Sequence, residues 1–201
     1  MNRGTMPRAP LLALPLLILL AACQAGGGTA EEPPLAGATI GGDFTLTDQQ
    51  GKTRRWADFR GEYAVVYFGF TYCPDICPTD MQRTAQGLRE FAKGDPAAAA
   101  KVQHIFISVD PERDTPTVVG EFVSAFGKDI VGLTGTREEV DAASKAFKIF
   151  HSQGEKEPGG AYMVNHSNVT YLFDPAGKPL ATLPTDQGAP AVAQELAKWV
   201  R

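Results

Sequence analysis

The chain has 201 residues, with 23 acidic side chains against 19 basic and a formal charge of −4. No run of lysine and arginine interrupts that balance, which argues against nucleic acid as a partner. Three cysteines are too few for a disulfide-stapled scaffold, and residues 38–201 suffice for one domain with its own apolar core. No internal repeat and no second domain boundary is visible.

The first residues are expected to be a leader and not part of the fold. Arg3 and Arg8 precede an apolar run at 11–20, which Pro15 interrupts. That run is short for a membrane span and suits the apolar core of a signal peptide. It ends in Leu20-Ala21-Ala22-Cys23, a pattern that looks like a bacterial lipobox, with Cys23 the lipidated residue. The alternative leaves Cys23 as an odd free thiol outside the cytosol, which is a liability. Residues 1–22 are thus read as a lipoprotein signal peptide. Residues 23–37, rich in Gly, Ala, Glu and Pro, are read as a flexible tether. This places the domain in a bacterial cell envelope, anchored to the membrane and facing the periplasm.

Within the domain, apolar alternation on either side of Asp48-Gln49-Gln50-Gly51 predicts a hairpin at 43–55. Residues 56–59 suit one helical turn. The run YAVVYFGF at 63–70 is continuously apolar, as in a strand buried on both faces. A helix is expected to open at Pro78-Thr79-Asp80 and to run to Gly94. VQHIFISV at 102–109 reads as a second buried strand. The loop 110–116 leads to a helix at 117–126, a short strand at 131–134 and a helix at 137–147. Residues 164–173 and 180–183 read as paired strands around the turn Asp174-Pro175-Ala176-Gly177, and an amphipathic helix closes the chain at 189–200. The expected fold class is α/β: a thioredoxin-like fold with a central mixed sheet flanked by helices, an N-terminal β-hairpin and an inserted helix and strand at 110–135.

Between the first buried strand and its helix lies Thr71-Tyr72-Cys73-Pro74-Asp75-Ile76-Cys77-Pro78. With Cys23 assigned to the anchor, Cys73 and Cys77 form the remaining thiol pair. A helix N-terminus favours thiolate, so lowered thiol pKa values are expected there. The pair is a soft-metal site, a redox-active dithiol, or both. Two thiolates leave a metal site incomplete, and the chain has three histidines to complete it. His104 lies inside a strand and reads as structural. His151 reads as a solvated loop residue. His166 stands at the entry to a late strand, which in a thioredoxin-like domain approaches the cysteine loop. Asp110 and Asp114 are read as turn and cap residues ahead of weak oxygen donors.

TYCPDICPTDM at 71–81, SVDPERDTP at 108–116, GLTGTREEVDAASKAF at 132–147 and VNHSNVTYLFDPAGK at 164–178 together resemble the SCO/SenC copper-chaperone family over essentially the whole domain. The resemblance implies copper, Cu(I) or Cu(II), bound by Cys73, Cys77 and His166. It also implies delivery to the CuA site of cytochrome c oxidase, with subunit II and other periplasmic copper chaperones as partners, and a monomeric chain. A thiol–disulfide role toward the oxidase subunit or another chaperone is linked to the same pair. A stand-alone thiol–disulfide oxidoreductase is the second reading, although such enzymes usually carry CxxC. A peroxidase leaves His166 unexplained, and zinc would accept the same donors.

Overall fold

The computed structural model describes residues 31–201, together with Met1 and Gly4. The leader, Cys23 and most of the tether therefore lie outside the described residues. Glu32–Arg201 forms one compact unit. Leu35, in the stretch read as tether, packs against its core and donates its N–H to Leu180 O at 3.0 Å. No described helix is long and apolar enough to cross a membrane.

Strand β3 (Tyr63–Gly69) is buried along its whole length, as its unbroken apolar run demands. It pairs in parallel with β4 (Val102–Ser108), which pairs in parallel with β5 (Val131–Thr134). On its other side β3 pairs antiparallel with β8 (Thr170–Phe173), and β8 with β9 (Pro179–Leu183). The hairpin β1 (Thr45–Asp48) and β2 (Thr53–Arg55) turns through Gly51 at φ 78°, while the Asp48 carboxylate accepts the N–H groups of Gln50 and Lys52. β1 adds antiparallel to β5, so the two additions to the minimal fold pair with each other. The seven-stranded order is β2-β1-β5-β4-β3-β8-β9.

Register decides which side chains share a face. Tyr67, Phe106 and Gly132 stand side by side, beneath α3 (Pro116–Ser124), whose Val119 and Val123 pack on Gly132. On the same face Val65 and Leu172 meet α1 (Ile76–Gly94) and α5 (Ala189–Trp199) through Phe91, Val192 and Leu196. The opposite face carries Val66, Phe68 and Phe173 against Trp56, Phe147 and α4 (Arg137–Ala146). A Cβ added at Gly132 would lie 2.5 Å from Val119 Cγ1. Gly132→Ala is therefore expected to cost about 1–3 kcal/mol by overpacking, measurable as a lower urea midpoint at unchanged slope.

Two local expectations are corrected and one helix is added. Helix α1 begins at Ile76, before Pro78, because the first amides of a helix have no intrahelical partner and proline is tolerated there. A short helix α2 (Pro96–Ala99), capped by the Asp95 carboxylate, follows α1. The single strand expected at 164–173 is two: β7 (Val164–His166) leaves the main sheet and pairs antiparallel with β6 (His151–Gln153), before β8 resumes at Thr170.

Candidate metal centre

The site is built where β3 ends and α1 begins. Gly69, the last residue of β3, leaves room for the Cys77 sulfur: a Cβ there would lie 3.1 Å from it and 2.8 Å from the Tyr67 ring. Cys77 is fully buried in the first turn of α1, and Cys73 in the loop before it is partly exposed. Both are free thiols. The helix has no side-chain cap from Asp75. The Cys73 sulfur instead accepts the Cys77 N–H at 3.4 Å, filling the role a cap oxygen plays elsewhere.

His166, at the end of β7, approaches across 89 residues of sequence and sets Nε2 3.4 Å from Cys77 Sγ. Its Nδ1 lies 2.9 Å from Ser167 O. A carbonyl only accepts, so Nδ1 carries the proton and Nε2 presents its lone pair to the thiol. Tyr67 and Phe70 meet the ring edge-on at 6.3 and 5.9 Å and hold its orientation. Burial lowers the His166 pKa against the pull of the Ser167 carbonyl, which keeps the ring neutral. Burial also pushes the Cys77 thiol well up, with the backbone of Phe70 opposing. The lowered pKa expected from the helix terminus is thus corrected for Cys77, where desolvation outweighs the dipole.

The cleft over these residues measures about 300 Å³ and is lined by Cys73, Asp75, Ile76, Met163 and His166 among others. Among the described residues no three thiol, imidazole or carboxylate groups stand ready-made around a metal position. Cys77 and His166 touch, while Cys73 is turned to the backbone. The donor set itself, two thiols and one imidazole with a free lone pair, suits a soft low-coordinate ion such as Cu(I).

The aspartates of the 110–114 loop do more than shape a local turn. Asp114 is fully buried and accepts from Thr71 N (3.0 Å), Thr71 Oγ1 (2.6 Å) and Ser108 Oγ (2.6 Å), which ties down the root of the cysteine loop. The cap of α3 is Thr115. Asp110 accepts from Arg113 Nε (2.6 Å) and from the Tyr162 hydroxyl (2.8 Å). The Arg113 guanidinium lies 3.6 Å from the Tyr162 ring centroid and 4.8 Å from that of Tyr72, and donates to Tyr162 O. One cation thereby clasps the cysteine loop to the segment that delivers His166. Sequence reasoning missed Thr71, Arg113 and Tyr162. The period-two placement of Tyr162, Val164 and His166 was the available signal.

The other histidines stand apart from the thiols. His151 is not a solvated loop residue: it lies opposite His166 in the β6–β7 ribbon, half-buried, with Nε2 3.2 Å from Asp141 Oδ1. His104 is buried in β4 at the edge of an apolar groove between α1, α2 and the segment that follows α3, and neither ring nitrogen has a hydrogen-bond partner. Burial pushes its pKa down to about 4. The unfolded chain binds a proton on this ring near pH 6.5, so this part of the stability is complete above that pH and is lost as pH falls toward 4. About 3 kcal/mol should disappear between pH 7 and pH 4 from this group alone. Urea unfolding of wild type and His104→Leu at both values checks it, and an equal loss in the variant would refute it.

Comparison with known proteins follows this geometry. The sequence model of the SCO1/SenC family matches residues 32–201. The mitochondrial SCO2 homolog of Bos taurus is 39% identical over 162 residues, covering 80% of this chain, and the chain spans only 60% of that protein's length. Bradyrhizobium japonicum ScoI, solved with copper bound, superposes with a TM-score of 0.72 at 33% identity, covering 80% of this chain and 99% of that one. BsSco, described as carrying a disulfide switch and as a member of the Sco family of cytochrome c oxidase assembly proteins, has a TM-score of 0.59 at 26% identity, covering 84% of this chain and 96% of that one. These matches agree with the thioredoxin-like mixed α/β fold seen here, and the chain belongs to the SCO1/SenC family.

Proposed function

We propose that this chain is a copper metallochaperone that binds copper through Cys73, Cys77 and His166. The observation that carries the reading is the contact of the Cys77 sulfur with the lone-pair nitrogen of His166. A copper-bound relative of the same fold supports it. The cargo enters at the exposed side, where Cys73 releases the Cys77 amide and turns its sulfur inward. Two thiol protons leave as the ion is taken up, and the neutral imidazole contributes without a proton change. Soft sulfur donors retain cuprous ion, yet a competing thiolate can remove it by ligand exchange.

The recipient is the CuA site of subunit II of cytochrome c oxidase, in keeping with the oxidase-assembly role given for the family of BsSco. Among the described residues, Met1 aside, the exposed large hydrophobics are Tyr72, Ile76, Phe150 and Met163. Tyr72 and Ile76 belong to the cysteine segment, Met163 lines the cleft, and Phe150 is hydrogen-bonded through its backbone to Ser167 beside His166. Such a collar suits a protein partner seated over the site. Lipidation at Cys23 would hold the domain beside a membrane-bound recipient.

The disulfide switch described for BsSco favours the linked redox role. Oxidation of Cys73 and Cys77 to a disulfide releases two protons and two electrons, which would reduce a disulfide of the partner to two thiols. Copper content and sulfur-to-copper charge-transfer absorption of the purified protein, at known thiol state, test the proposal. One ion per reduced chain is expected, with none held after oxidation or in Cys77→Ser. Equal copper in the reduced and oxidised forms would overturn it.

A further inference from the structure

We propose that a polar cleft beside the thiol pair binds the α-amino-acid head of a small thiol, and that such a thiol is the immediate donor of cuprous ion to Cys73. The inference rests on the copper reading above and names the chemical class of the donor. The cleft has a volume of about 440 Å³ and lies between α1, the start of β8 and the 3-10 turn Thr185–Gln187. It shares Ile76 and Asn168 with the cleft over Cys73 and His166, so the two adjoin.

Its lining is built for a polar ligand. Asp80 is only 3% exposed; its Oδ2 makes no hydrogen bond, and the side chains of Thr185, Tyr67 and Arg83 stand beside its carboxylate. Thr170 is 1% exposed, and its hydroxyl is likewise unpartnered. Buried polar atoms of this kind are costly unless something pairs with them. Arg83 spends one guanidinium nitrogen on Thr185 O at 3.0 Å, which leaves donors in its planar fork for a carboxylate. Asp186 stands exposed at the rim and suits an ammonium group. Asn168 accepts the Tyr67 hydroxyl through Oδ1 at 3.3 Å, so its amide N–H donors remain for the ligand. Cation, carboxylates and neutral donors in one cleft match a zwitterion better than a simple cation or anion. The volume accommodates a small peptide head group.

A donor whose head is so placed would present its sulfur toward the adjoining cleft, which Cys73 lines. Transfer is then ligand exchange. The Cys73 sulfur forms a bond to cuprous ion as the donor's sulfur–copper bond breaks, and the Cys73 proton passes to the departing thiolate. The copper stays cuprous and no electrons move.

Two measurements test this on the purified protein. The first follows copper uptake by stopped flow from cuprous glutathione and from the cuprous complex of 2-mercaptoethanol, which lacks the head group. Arg83→Gln and Asp186→Asn should each slow transfer from glutathione about tenfold, the loss of one charge-assisted contact. Transfer from 2-mercaptoethanol and the equilibrium copper affinity should not change. Equal slowing of both donors, or no slowing, would overturn the proposal. The second titrates S-methylglutathione into metal-free protein and follows the amides of Asn168 and Thr170 by NMR. Saturable binding, weakened about tenfold in Arg83→Gln, is expected. Copper uptake without such binding would sink the cleft assignment alone. Binding without copper uptake would sink the metallochaperone reading and leave the cleft standing.

Discussion

Replacing His166 by alanine is expected to weaken cuprous binding by about 100-fold or more while leaving the fold intact. The ring supplies the one nitrogen facing Cys77, and its hydrogen bond from Nδ1 to Ser167 O fixes the tautomer that makes Nε2 a donor to metal. Loss of that donor leaves a two-sulfur site, and about 100-fold corresponds to roughly 2.8 kcal/mol of binding. The fold tolerates the change because His166 ends a three-residue strand outside the main sheet and contacts Tyr67 and Phe70 only edge-on. Competition against a chromophoric cuprous chelator gives the affinity, and circular dichroism the fold. Unchanged affinity would remove His166 from the site. Affinity lost together with the fold would assign it a structural role.

Asp114→Ala should be the most damaging substitution outside the thiol pair. Its carboxylate is fully buried and takes three hydrogen bonds, two of them from Thr71 at the root of the cysteine loop. Truncation strands the Thr71 amide, the Thr71 hydroxyl and the Ser108 hydroxyl without partners, and opens a small cavity. A stranded donor costs about 1–3 kcal/mol when buried, as at Ser108, and less at half-exposed Thr71, so with the cavity a net loss of about 3–5 kcal/mol is expected. At this chain length that lowers Tm by about 10 °C. Calorimetry of the metal-free protein measures it. Copper affinity should fall as well, since the loop that carries Cys73 loses its anchor. A loss below about 1 kcal/mol would mean that water replaces the carboxylate.

Local chemistry made half of this site readable. Cys73 and Cys77 declare themselves by spacing, by the buried strand before them and by the helix after. The sheet was readable for the same reason: YAVVYFGF and VQHIFISV are too apolar to lie anywhere but its centre. His166 was legible only through the need for a third donor and the resemblance of its segment. Its one local mark is the period-two spacing with Tyr162 and Val164, a weak signal because β7 is three residues long and its partner β6 is the polar triplet His151–Gln153. The same ribbon turned His151 from an apparent loop residue into the cross-strand neighbour of His166. The Asp114–Thr71 and Arg113–Tyr162 contacts join positions 43 and 49 residues apart, and no periodicity encodes such pairs. The pKa of Cys77 could not be read from the motif either, because it depends on the burial created by Gly69, Tyr67 and Phe106.

The sulfur of Cys73 has two employers. It serves the peptide group that opens α1, and under the proposed copper role an arriving ion would recruit it away. The helix, which has no side-chain cap from Asp75, would then be left with one uncapped amide. Under that proposal, cargo status would be written into the backbone of the exposed Tyr72–Ile76 segment. A recipient would then distinguish a laden protein from an empty one without touching the metal.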